Sequence, residues 1–152
     1  MTNILVDADA CPVKPEIYRV ARRYGLTVIL VADSWMRIPN GEWLKLQVVK
    51  EGMDAADDWI VEHAAEGDIV ITADILLADR CLQKGTKVIG VTGNQFTAEN
   101  IGQAKAMRNL FEDLRSAGEK TSGPPPLTNR DKSQFLQKLD EVIQKIRRLE
   151  QD

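Results

Sequence analysis

The stretch Ile4-Leu5-Val6-Asp7-Ala8-Asp9-Ala10-Cys11-Pro12-Val13-Lys14 decides how the remainder of the chain is read. Its apolar run, Ile4-Leu5-Val6, has the character of a buried strand, and it stops at two acids and a Pro-containing turn that leads into a helix. Open parallel sheets bind ligands outside the carboxyl ends of their strands, so Asp7 and Asp9 stand where chemistry is expected. Two carboxylates in alternate positions repel one another unless something positive lies between them, and a divalent cation with oxygen ligands meets that need. A second reading stands beside this one: Asp7 ends the strand and Asp9 caps the helix, the more common duty of a single Asp in such a turn. Only further acids at the same edge can decide between them.

Outward from the turn, Pro15 suits the start of a helix, where its missing donor does no harm. Ile17, Val20, Ala21 and Tyr24 then recur at helical spacing, while Arg19, Arg22 and Arg23 share the other side. That basic stripe is either solvated surface or a contact for a phosphate backbone. Gly25 ends the helix, and Thr27 to Val31 is a second apolar strand. Trp35 and Trp43 lie near the ends of a loop containing Pro39, Asn40 and Gly41; they stack on bases or pack, and packing is the commoner role. Leu44, Leu46 and Val48 alternate as a short strand or a helical turn. A helix opens at Gly52-Met53-Asp54, with Ala56, Trp59, Ile60, His63 and Ala64 on one face and Gly67 closing it. His63 on that face is expected to be packed and hydrogen-bonded rather than a ligand.

The strand Ile69 to Thr72 runs into Ala73-Asp74 and a helix over 75–84, and Lys87 to Val91 is a further strand. Strands alternating with helices predict an α/β fold in three layers, a mainly parallel central sheet with helices on both faces and right-handed crossovers. Thr97 is expected to open a long helix on which Ile101, Ala104, Met107, Leu110, Phe111 and Leu114 form an apolar stripe. The prolines after Gly123 forbid helix, which divides the chain into an α/β domain over 1–118, a Pro-rich linker over 119–130 and a C-terminal helix over 131–152. Asp131 with Gln134 resembles a capping box for that last helix. Its apolar face, which includes Phe135, Leu139 and Ile143, is expected to dock on the same domain or on a second subunit, as in a homodimer.

In this topology Asp7, Asp9 and Asp74 follow parallel strands at one edge. A helix antiparallel to the strands begins at that edge too, which adds Asp54, Asp57 and Asp58. Asp68 begins its strand and sits at the wrong end. Each acid has a structural alternative as a helix cap or dipole partner. Their joint arrival is unfavourable without a cation, and all-oxygen donors suit Mg²⁺ or Mn²⁺. Such an ion polarises a phosphodiester, activates water and steadies the leaving oxygen. Thr72 either orients a carboxylate or the attacking water, or is there as a β-branched strand residue. Cys11 reads as packing, and Lys14 as a phosphate contact or surface.

With 152 residues and 43% hydrophobic content, the chain suits one globular unit that needs no staples. A net charge of -3 argues against non-specific coating of nucleic acid, so contact with RNA is expected to be local. The first residues lack the basic start and apolar run of a signal peptide, and no segment approaches a membrane span. Cys11 and Cys81 have no metal-type spacing, which excludes zinc through cysteine and fits a reducing cytoplasm.

Four motifs together resemble the bacterial YaiI/YqxD family: Asp7-Ala-Asp-Ala-Cys-Pro-Val-Lys14, Asp54-Ala-Ala-Asp57, Gly67-Asp-Ile-Val-Ile-Thr-Ala-Asp74 with Leu77-Ala78, and Gly123-Pro124 followed by Arg130-Asp131. That family is similar to PIN-like domains, a class that includes metal-dependent ribonucleases with an acidic site at the carboxyl edge of a parallel sheet. The resemblance implies that Asp7 is the acid after the first strand. Asp57, followed by Ile60, matches the acid that opens the penultimate site helix, and Thr72-Ala-Asp74 matches the final Thr-x-Asp element. The helix-borne glutamate of that class has no clear match here; Glu51 and Asp54 are the nearest candidates.

Three functions follow as expectations. The first is a Mg²⁺- or Mn²⁺-dependent nuclease acting on RNA, with Asp7, Asp57 and Asp74 as metal ligands joined by Asp54, Asp9 and Thr72 assisting, and Lys14, Arg19 and Arg22 touching substrate. The second is a non-catalytic RNA- or protein-binding module on the same fold. The third is a phosphoaspartate-forming phosphatase, suggested by Asp7-x-Asp9, although Thr72 follows Asp57-Asp58 rather than preceding them as that chemistry requires.

Overall fold

Ile4, Leu5 and Val6 are apolar in succession, so their strand has no face to offer water, and the chain sets it mid-sheet with helices on both sides. The computed structural model describes residues 2–50, 52, 54–118 and 126–151. Its strands are β1 (Asn3–Asp7), β2 (Thr27–Ala32), β3 (Leu44–Val48), β4 (Ile69–Ile71), β5 (Lys87–Ile89) and β6 (Gln95–Phe96). Its helices are α1 (Lys14–Tyr24), α2 (Ala55–His63), α3 (Ile75–Gln83), α4 (Ile101–Ser116) and α5 (Asn129–Gln151). The sheet order is β3-β2-β1-β4-β5-β6, parallel throughout except for β6, which runs antiparallel to β5. A mainly parallel sheet between two helical layers is the expected α/β architecture. No helix among the described residues is long and apolar enough to cross a membrane.

Alternation along the strands sorts the core into two layers. Ile4, Val6, Val28, Leu30, Ile69 and Ile71 face α1 and α5, while Leu5, Val31, Val70 and Val88 face α2, α3 and α4. A right-handed crossover places its connection on one face when the chain moves one way along the sheet and on the other face when it moves back. The chain goes β1 to β2 to β3 on the α1 side, then returns through α2 to β4 and continues to β5 on the opposite side. The reversal leaves the α1-side face of β4 and β5 without a crossover helix. There α5 lies down, burying Phe135, Leu139 and Ile143 against Ile69, Ile71 and Ile89. Tyr24 and Asp140 hydrogen-bond across the α1–α5 contact. The start of α5 passes so close to Gly93 that a Cβ there would stand 2.7 Å from the Gln134 backbone, and Gly93 also has φ +90°, a conformation that glycine adopts without strain.

The alternating segment after Trp43 keeps its strand reading, as the edge strand β3. Several expectations change. The two-residue β6 has no sequence signal, being too short for a period. α4 starts at Ile101 rather than at Thr97, which instead exchanges hydrogen bonds with Asn100. Only Ile101 of its apolar stripe is buried; Met107, Leu110, Phe111 and Leu114 are 36–50% exposed. The capping box of α5 is Thr128 with Asp131, whose side chains accept from each other's backbone N–H at 3.1 and 3.0 Å, so the helix begins before the Asp131–Gln134 pair. α2 ends at His63, ahead of Gly67. His63 is hydrogen-bonded as expected, its Nδ1 2.8 Å from the Trp59 carbonyl, and stacks on the Trp59 ring at 3.8 Å between centroids, although it is exposed to solvent. Glu51, Met53 and most of the Pro-rich segment, Gly123-Pro124 included, lie outside the described residues.

Phe135→Ala is expected to lower the unfolding free energy by about 3–5 kcal/mol in a urea titration. Leu149→Ala, on the same helix but at a side chain 69% exposed, should change it by less than about 0.5 kcal/mol. Equal losses from the two would contradict the seat described for α5.

Candidate functional site

Because the connections leave β1 and β4 toward opposite faces, the carboxyl ends of these neighbouring strands border a crevice, the place where open α/β sheets bind ligands. Asp7 is the last residue of β1 and shares the face of Leu5, which directs it toward the α2–α3 layer. Thr72, just past β4 and buried, donates its hydroxyl proton to Asp7 Oδ2 at 3.0 Å, and its oxygen accepts from the Asp74 N–H at 3.0 Å. One side chain thus ties the first acid to the turn that carries another. The β-branched residue and the orienting hydroxyl are the same residue.

Asp74 Oδ1 accepts from the Leu76 and Leu77 N–H groups at 2.9 and 3.3 Å, so it caps α3 as well as standing at the rim. Asp57 lies in the first turn of α2. Asp54 precedes it with φ 66°, a left-handed conformation that Asp tolerates better than most side chains, and makes no side-chain cap bond. Asp9 caps no helix; its Oδ2 accepts from the Asp33 N–H at 3.0 Å and ties the acidic turn to the end of β2. Asp58 is engaged with Arg80 at 2.9 Å.

The rim acids feel one another. Burial raises the Asp7 carboxyl above its ordinary range; the Thr72 hydrogen bond opposes this, and Asp74 and Asp9 add to it. Asp57 is pushed from 3.8 up to about 6, by burial first and then by Asp74, Asp7 and Asp54, against the pull of Arg80. Three carboxylates from three elements therefore share one electrostatic neighbourhood. They do not form a finished cage: among the described residues, no group of three His, Cys, Asp or Glu side chains is arranged to hold a metal ion. The donor chemistry fits a hard cation all the same. Mg²⁺ takes one or two protein carboxylates and keeps several waters, so all-oxygen donors without a closed cage suit it, whereas a tetrahedral zinc site calls for nitrogen or sulfur ligands.

Other nominated residues separate by position. Lys14 opens α1 beside the turn, its Nζ donating to the Cys11 carbonyl at 3.2 Å. Arg19 lies mid-helix. Arg22 is not brought to the acids: its guanidinium sits 5.6 Å from the centre of the Trp43 ring, and the Trp43 carbonyl bonds the amino end of β2. Asp68 holds the opposite edge together, accepting from the Asn3 and Ala65 N–H groups at 3.0 Å each, as its place at a strand start implied. Cys11 is buried, which raises its thiol pKa and keeps it protonated. Two residues escaped sequence reasoning. Glu16, in the first turn of α1, is buried with Oε2 lacking any protein partner among the described residues, whereas its sequence context is that of an ordinary dipole-favoured acid. Trp35, expected to pack, is 75% exposed, while Trp43 does pack, edge-on to Tyr18 at 5.5 Å.

The electrostatics carry a sign. With its folded pKa above the unfolded one, Asp57 contributes stability at low pH that is lost as pH rises through about 6. Asp57→Asn should therefore melt higher than wild type near neutral pH, with the difference gone below the unfolded pKa of about 4. A constant offset across both conditions in thermal melts would contradict the coupling.

A family model described as "Uncharacterized BCR, YaiI/YqxD family" matches residues 5–145. A UPF0178 protein of Bradyrhizobium sp. (strain ORS 278) is 54% identical over 96% of this chain and 89% of its own length. One from Rhodopseudomonas palustris (strain HaA2) is 53% identical, covering 97% and 90%. One from Caulobacter sp. (strain K31) is 52% identical, covering 98% and 99%. A solved structure that aligns over 99% of this chain and 97% of its own is only 14% identical with a TM-score of 0.41, too distant to carry an argument. Spanning nearly all of the sequence at half identity, these matches make the chain a member of the YaiI/YqxD family.

Proposed function

We propose that this protein is a Mg²⁺- or Mn²⁺-dependent nuclease that hydrolyses phosphodiester bonds in RNA, with Asp7, Asp57 and Asp74 as its metal-binding acids. The observation that carries this reading is the raised proton affinity of Asp7 and Asp57 at the crevice between β1 and β4, caused by burial first and then by the neighbouring acids, Asp74 among them. The resemblance of Asp7, Asp57 and Thr72-Ala-Asp74 to the acids of PIN-like ribonucleases supports it.

In this proposal each residue has a distinct duty. Thr72 holds the Asp7 carboxylate in one orientation through its hydroxyl, as a positioning residue. Asp57, near 6, exchanges its proton close to neutral pH, which suits it to general acid–base work or to releasing that proton when a cation arrives. Asp9 anchors the turn that presents Asp7 through its bond to Asp33. Lys14 offers a charge at the same rim to a phosphate oxygen. The ion, when bound, supplies Lewis acidity and an acidified water.

A second reading, a non-catalytic binding module for RNA or protein, draws on the lack of a ready three-ligand group among the described residues and on the capping duty of Asp74.

Purified protein with Mn²⁺ is expected to cleave single-stranded RNA, and Asp7→Asn to reduce cleavage to background. Thr72→Val should lower the rate by about 10- to 100-fold, the usual cost of losing a partner that orients a ligand. Mn²⁺ affinity measured by calorimetry should weaken as pH falls through about 6, and Asp57→Asn should flatten that profile. Equal trace activity in wild type and Asp7→Asn would sink the nuclease reading, and no heat of binding at millimolar metal would favour the module.

A further inference from the structure

Trp35 is the large side chain that the core does least to explain. Trp43 packs on Tyr18 and Arg22, and Trp59 stacks on His63, but Trp35 stands 75% exposed. Leaving an indole in water forgoes the burial that such a side chain normally gains. It borders an open groove of about 910 Å³ that also takes in Met36, Arg37, Ile38, Asn40 and Leu46. Met36, Ile38 and Leu46 are anchored against the core, which fixes the floor, while Arg37 is exposed. A free aromatic face, a guanidinium beside it and a firm apolar floor are the parts with which proteins hold unpaired bases and the phosphates between them.

Position adds the second half of the case. The Asp9–Asp33 hydrogen bond pins the end of β2 to the acidic turn, and the two residues from Asp33 to Trp35 reach at most about 7 Å. The acids face the α2–α3 layer, whereas Met36 and Ile38 pack on the α1 side. A chain laid over the carboxyl rim from one layer to the other therefore passes the groove and then Asp7. A duplex hides its base faces and has nothing to offer Trp35.

We propose that Trp35 is a base-stacking platform, with Arg37 as its phosphate contact, for a single-stranded nucleic acid that crosses this rim toward Asp7. The inference rests on the nucleic-acid reading above and narrows it to unpaired strands. Binding of a short oligouridylate in EDTA, where metal-dependent cleavage cannot proceed, tests it without relying on catalysis. Tryptophan fluorescence should be quenched on titration, Trp35→Ala should weaken binding about tenfold or more with an unchanged circular dichroism spectrum, and Trp35→Phe should keep most of the affinity. Arg37→Gln should weaken binding and shallow its salt dependence. A duplex of the same length should bind less tightly. Failure of wild type to bind, unchanged affinity in Trp35→Ala, or sedimentation showing that Trp35 instead mediates self-association would each overturn the platform. The two proposals separate cleanly: Trp35-dependent binding without cleavage in Mn²⁺ keeps the platform and removes the nuclease, and cleavage with Trp35-independent binding does the reverse.

Discussion

The reversal of the chain between β1 and β4 is the constraint on which the rest depends. Neighbouring parallel strands whose connections leave toward opposite faces cannot have their carboxyl ends roofed by either connection, so a polar rim opens there whatever residues occupy it. Asp7 and Thr72 fill that rim, and their hydrogen bond joins the two strand ends where the backbone ladder of Ile4 to Val6 with Ile69 to Ile71 has just stopped. The same reversal sets α2 to begin at this edge and delivers Asp57 from the next layer.

The outcome is a locally frustrated patch on an otherwise consistent fold. Core positions satisfy themselves: every strand residue from Ile4 to Val6 and from Ile69 to Ile71 is buried among apolar neighbours. At the rim the opposite holds: burial first, and the neighbouring acids after it, raise the proton affinity of Asp7 and Asp57, while Arg80, which pulls Asp57 the other way, is also engaged with Asp58. Local conflict of this kind is expected where function is placed rather than where stability is made.

How much was legible in the sequence follows from the range of the interactions involved. Uninterrupted apolar runs such as Ile4-Leu5-Val6 and Ile69-Val70-Ile71 specify central strands by themselves, and Gly25, at φ 68°, marks the end of α1 because few other residues accept that backbone. Asp68 was separable from the other acids by topology alone. What failed depended on distant partners. The apolar stripe of α4 has helical period, yet periodicity cannot say whether a neighbour covers it. Trp35 and Trp43 share one loop, and only the meeting with Tyr18 and Arg22 distinguishes them. Thr128 lost its capping role to Asp131 in the sequence because the prolines before it drew the boundary too late. Burial of Glu16 has no local signature at all.

The seat of α5 has a consequence for how the molecule comes into being. Synthesis runs from the amino end, and domains gather as their parts emerge. By the time β5 has left the ribosome, every parallel strand is available, but Ile69, Ile71 and Ile89 still present one oily side to the cell because α5, the helix that shields them, comes well after β5 in the chain. A nascent chain of this protein is thus sticky until α5 emerges, and a premature stop before Phe135 would leave a fragment with its sheet half naked and prone to clump.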